Sequence, residues 1–109
     1  LLVVDAMIAL LKEAGLDDPT ISWAVDLLYL FITACAAEQS VYVDKESEGQ
    51  TEAGVVKALE DYYATVSAER YPMVFALRRQ LMVGTGDERG SWALKVLING
   101  ILGTPAEIV

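Results

Sequence analysis

Histidine is absent from the 109 residues, and cysteine occurs once, as Cys35. Without histidine, any site built by this chain alone lacks the commonest general base, nucleophile activator and zinc ligand. One cysteine forms no disulfide within the chain, which excludes a secreted disulfide scaffold. Basic residues are scarce as well. Eight Lys and Arg stand against 16 Asp and Glu, a formal net charge of −8. Such a surface repels a polyanion, which argues against direct nucleic-acid binding. Chemical motifs are equally thin. Gly84-Thr85-Gly86 is too short for a phosphate loop and lacks the lysine. No G-x-S-x-G nucleophile elbow occurs. Glu60 and Asp61 are adjacent, so on a helix they point in different directions and do not converge as an acid/base pair. Cys35 sits in an apolar helical stretch and reads as a buried structural thiol. The acidic stretch Asp44–Glu52 reads as a solvated loop, because the spacing of a calcium loop is missing from it. An enzyme is therefore the weakest class, and no cofactor or metal is implied.

What the sequence does have is apolar helix. Hydrophobic residues make up 54% of the chain, too many for a disordered segment, and the length suits one domain over residues 1–109. Five helical segments and no strand can be read. The first, Leu1–Ala14, is apolar nearly all round, predicts burial on more than one side, and ends at Gly15. The second starts at Asp18-Pro19, a favoured cap and first helical residue, and runs to Val43. Within it Ser22, Asp26, Tyr29, Thr33, Ala36 or Ala37, and Ser40 recur at spacings of three and four. That small, mildly polar row suits close approach of another helix, while Val25, Leu28 and Ile32, and Leu27, Leu30 and Ala34, read as core. The third segment, Thr51–Glu69, carries one apolar face of Val55, Val56, Leu59, Tyr62, Tyr63 and Val66. Tyr71-Pro72 breaks it. A fourth segment runs from Pro72 to Val83, and Thr85 with Glu88 fits a capping box for a fifth, Gly86–Leu102.

Leu1–Leu11 has no basic flank and contains Asp5, so it does not read as a signal peptide. The longest uncharged run in the middle, Leu27–Ala37, is 11 residues, short of the ~20 that span a bilayer. A soluble, cytoplasmic protein with no membrane partner is expected. Leu1 already lies in a helical pattern without a cap, so the sequence reads as a piece of a longer chain. The first two segments are more apolar than five helices of this size can cover. A second copy, associating through the second and fifth segments, or further residues upstream would cover them.

The last third carries a resemblance. Tyr71-Pro72, then Glu88-Arg89, Trp92, Leu94, Leu97, Ile98, Gly100 and Ile101, follow a pattern of an acidic-Arg pair, an aromatic, and Leu-x-x-Leu-Leu-x-Gly-Leu. Ala14-Gly15-Leu16, Pro19, Ala24–Leu28 and Glu38 look like the preceding long helix. In these the chain resembles the C-terminal ligand-binding and dimerisation domain of TetR-family bacterial transcriptional regulators. The resemblance implies an all-α, five-helix regulatory fold and a homodimer joined by a four-helix bundle. It also implies a small apolar or aromatic effector, and contact with operator DNA only through an N-terminal helix-turn-helix domain not visible here. The residues put forward for the effector are Val4, Met7, Leu11, Trp23, Leu27, Leu30 and Phe31. Those put forward for the dimer seam are Tyr29, Thr33, Ala36, Ser40, Trp92, Val96 and Asn99. The competing reading is a helical dimerisation module that takes no small molecule, in which the same side chains are filled core.

Overall fold

The structure, a computed structural model, describes residues 1–107, and of Tyr42 and Lys45 the backbone alone. Five α-helices follow one another: α1 (Leu2–Glu13), α2 (Asp18–Ser47), α3 (Glu52–Ala64), α4 (Pro72–Leu77) and α5 (Gly86–Gly103), with a 3-10 turn at Gln80–Met82 before α5. No strand occurs among the described residues. The chain divides into two compact units, Leu1–Ala37 with Asp87–Val109, and Glu38–Gly86.

In the first unit, Gly15 ends α1 with φ +83°, the left-handed conformation that favours glycine at this position. Asp17, rather than Asp18, caps α2. Its Oδ1 accepts the Thr20 N–H at 2.9 Å, which leaves Asp18 and Pro19 as the first two helical residues. A proline is harmless there, because the first turn's N–H groups have no helical acceptor. The Thr20 hydrogen bonds, side chain first and backbone second, hold the Asp17 carboxyl below its ordinary value.

Burial in this unit follows one stripe per helix. On α1 it is Val4, Met7, Ile8 and Leu11, all half-buried, and no residue of α1 is fully buried. Leu2, Val3 and Leu10 are exposed, so the expected burial of α1 on several sides is not met within the chain. On α2 the buried side chains are Thr20, Ile21 and Ala24, continued by half-buried Val25, Leu28 and Phe31. On α5 the stripe is Gly90, Ala93, Leu97 and the buried Ile101. The Thr20 hydroxyl accepts the Ala106 N–H at 2.9 Å, which ties the segment after α5 to the start of α2. Of the rows read as core, Leu27, Leu30, Ile32 and Ala34 are exposed, and so is Cys35. Each of these helices meets neighbours on one side only, and one stripe is all that a single neighbour covers.

From Ile32 to Ser47 every described side chain of α2 is exposed. Residues Asp18–Val41 are also long and apolar enough, by length and composition, to cross a membrane. The count of uncharged residues missed this because Asp26 interrupts the run.

In the second unit, α2 extends through Asp44–Ser47, which the sequence reading gave to a loop. Glu and Lys are good helix formers, and the Ser47 hydroxyl donates to the Asp44 carbonyl at 2.7 Å. Gly49, at φ +87°, lies just beyond the helix end. The Thr51 hydroxyl accepts the Gly54 N–H at 3.0 Å and starts α3 where the sequence placed it. α3 ends at Ala64, five residues before the expected Glu69. β-Branched Thr65 and Val66 disfavour helix, and hydroxyls compete for its backbone groups. The Thr65 hydroxyl donates to the Tyr62 carbonyl at 2.7 Å, and Ser67 Oγ accepts the Arg70 N–H at 3.2 Å. α4 is also shorter than expected. At its end Arg78 Nη1 donates to the Phe75 carbonyl at 2.6 Å, satisfying one of the acceptors that a helix terminus leaves open.

Candidate functional site

Between α1 and α2 of the first unit lies a shallow, open cleft of about 570 Å³, lined by Val4, Ser22, Trp23, Val25, Asp26 and Tyr29. Its volume lies within the range of small-molecule sites. The spacing 22, 25, 26, 29 is one face of α2, and Val4 reaches it from α1. Val4, Val25 and the rings of Trp23 and Tyr29 supply apolar walls. The Ser22 and Tyr29 hydroxyls and the Asp26 carboxylate supply polar handles. Such a cleft suits a flat apolar body with one or two hydrogen-bonding groups. Among the described residues no group of three or more His, Cys, Asp or Glu is placed to hold a metal ion.

Of the residues put forward for an effector, Val4 and Trp23 line this cleft. Met7, Leu11 and Phe31 are half-buried outside its lining, and Leu27 and Leu30 are exposed. The cleft adds Ser22, Val25, Asp26 and Tyr29. The signal for three of them was present in the sequence, since Ser22, Asp26 and Tyr29 begin the polar row read as a helix-approach face. That row runs on beyond the cleft. Its first half borders the cleft, and Thr33, Ala36 and Ser40 continue along the uncovered length of α2. On α5, Trp92, Val96 and Asn99 lie off the inward stripe and are exposed, Trp92 to 68%. The seam candidates are thus all open in the single chain, with large apolar side chains among them.

The family of tetracyclin repressor-like C-terminal domains matches residues 1–104. The chain belongs to the TetR family. No curated protein and no solved structure matches it. The TetR match spans both compact units and all five helices, so the cleft and the open faces of α2 and α5 belong to a TetR-family regulatory domain. An all-α fold with a long apolar α2 and a closing α5 is the architecture that the TetR resemblance implied.

Proposed function

We propose that this chain is the effector-sensing, homodimerising domain of a bacterial TetR-family repressor that works in the cytoplasm. DNA contact is made by a helix-turn-helix domain outside these 109 residues. The observation that carries the reading is the apolar surface left open on α2 and α5. The chain exposes 8599 Å², whereas a folded protein of its mass exposes about 5,900 Å². Two separate folded bodies the size of its units would expose about 7,100 Å². The excess is larger than the about 800 Å² that each partner buries in a standard interface. A second copy laid along Tyr29, Thr33, Ala36, Ser40, Trp92, Val96 and Asn99 would cover part of it. That partner also accounts for the membrane-like composition of Asp18–Val41, since a helix at the centre of a bundle is as apolar as one in lipid.

The effector is a small apolar or aromatic molecule seated between α1 and α2. It acts by binding one arrangement of these helices more tightly than the other. Two DNA-reading heads must match major grooves about 34–36 Å apart, so a small shift at the dimer weakens operator binding. Titration with Nile red, a neutral apolar dye, tests the sensing part. Saturable fluorescence enhancement that is lost in Val4→Asp, with helicity retained, is expected. Enhancement that never saturates, or that survives Val4→Asp, contradicts it.

A further inference from the structure

The second unit contains a cleft of different chemistry, and the geometry points to a binding site there for a small aromatic carboxylate. The cleft is about 670 Å³ and is walled by Glu60, Tyr63, Phe75, Arg78, Arg79 and Met82, with Asp61 at the α3 side. Its apolar surface is two rings and a thioether, which suit an aromatic body. Its polar surface centres on two successive guanidinium groups. Arg78 is half-buried, its Cζ lies 4.0 Å from the Phe75 ring centroid, and its Nη1 donates to the Phe75 carbonyl. Ring and carbonyl together fix the plane of that guanidinium, while four of its five N–H groups are left over from this bond. A planar fork fixed in advance loses little freedom on binding a carboxylate, and it matches the two oxygens.

The charges select the ligand further. Asp61 is engaged by Lys57 Nζ at 3.3 Å, and among the described residues Glu60 has no such ion pair. Among the described residues no ion pair joins Arg78 or Arg79 to either acid. With Lys57 counted beside Asp61, three cations stand against two carboxylates around this cleft, in a chain of net charge −8. An anion is attracted by that balance, and the two rings favour one with an aromatic body. This site is separate from the α1–α2 cleft and stands whether or not that cleft senses an effector.

The test uses the intact chain with 2-naphthoate and its uncharged isostere 2-naphthamide, followed by calorimetry and by NMR of the arginine Nε–H groups. The expected result is saturable binding of 2-naphthoate, at least about tenfold tighter than 2-naphthamide, with the Arg78 Nε–H signal shifted. Arg79→Gln, at an exposed position and with helicity matching the parent, weakens binding by about tenfold. Arg78→Gln does the same where its helicity matches that of the parent. 2-Naphthoate leaves bound Nile red in place. Absence of binding at millimolar 2-naphthoate, equal affinity for acid and amide, insensitivity to Arg79→Gln, or displacement of Nile red would each overturn the assignment.

Discussion

The two units differ in how their helices dispose of apolar surface. In the first, α1, α2 and α5 each use one stripe and leave others bare, with Leu30 at 63% and Trp92 at 68% exposure. In the second, α3 sets the charged Lys57, Glu60 and Asp61 on its exposed surface beside Leu59 at 42% and Tyr62 at 67%, and Met73 of α4 is open at 72%. Its helix ends are closed locally by Thr51, Thr65 and Ser67. Exposed apolar residues scattered singly are ordinary, whereas contiguous ones mark a surface made for something else. By that standard both units leave apolar surface open, and the second differs in the charges along α3 and in its locally closed helix ends.

Substitutions can break or sharpen this contrast. The largest effect is expected from Thr33→Arg, which puts one guanidinium from each copy into the seam. Each desolvated ion costs several kcal/mol, so light scattering should show the dimer weakened by a hundredfold or more. Ala58→Arg, on the exposed surface of α3, should leave the mass unchanged. Equal behaviour of the two variants would erase the distinction between the units. Next is Ile21→Ala. Ile21 is 3% exposed, and truncating a buried isoleucine costs about 2–5 kcal/mol, read as a lower denaturation midpoint. Leu30→Ala, in the same helix but exposed, should cost far less unless dimerisation is measured.

The helix caps give smaller effects. Thr51→Ala removes the acceptor for the Gly54 N–H and should cost about 1 kcal/mol by denaturant unfolding. Asp17→Ala should destabilise the first unit in the same sense, and Asp17→Asn should recover most of the loss. Because folding lowers the Asp17 pKa, its contribution is full above the unfolded value of about 4. It is lost as pH falls through the folded value. The parent should therefore lose its advantage over Asp17→Ala in acid, and a difference that stays constant on acidification would contradict the cap. The smallest effect belongs to Lys57→Ala. Its pair with Asp61 is exposed on both sides, and such i,i+4 pairs contribute about 0.3–0.5 kcal/mol.

The elements were readable where local chemistry decides. Gly15 and Thr51 mark helix ends because a left-handed glycine and a hydroxyl acceptor act over three or four residues. Proline at 19 and 72 marks helix starts for the same reason. Asp17 was missed in favour of its neighbour Asp18, since two successive aspartates offer the same cap and the register of the first turn decides between them. The Asp44–Ser47 stretch was read as loop from its charge, although its residues are sound helix formers. The cores of α1 and α2 were misjudged for another reason. Periodicity says that Leu27, Leu30 and Ile32 avoid water, but not whether the cover comes from within the chain. Of the six residues that line the α1–α2 cleft, Val4 and Trp23 were among those put forward for an effector. Asp26 and Tyr29 were seen as a row and assigned to helix approach, because a polar stripe looks alike whether it faces a helix or a ligand.

The central claim is that the open faces of α2 and α5 are closed by a second copy of the chain. The most direct measurement is the mass of the intact chain in detergent-free buffer at micromolar concentration, by multi-angle light scattering. The account predicts twice the chain mass of 11.8 kDa, falling to the single-chain value in Thr33→Arg. A well-behaved monomer of 11.8 kDa in the parent protein would contradict it.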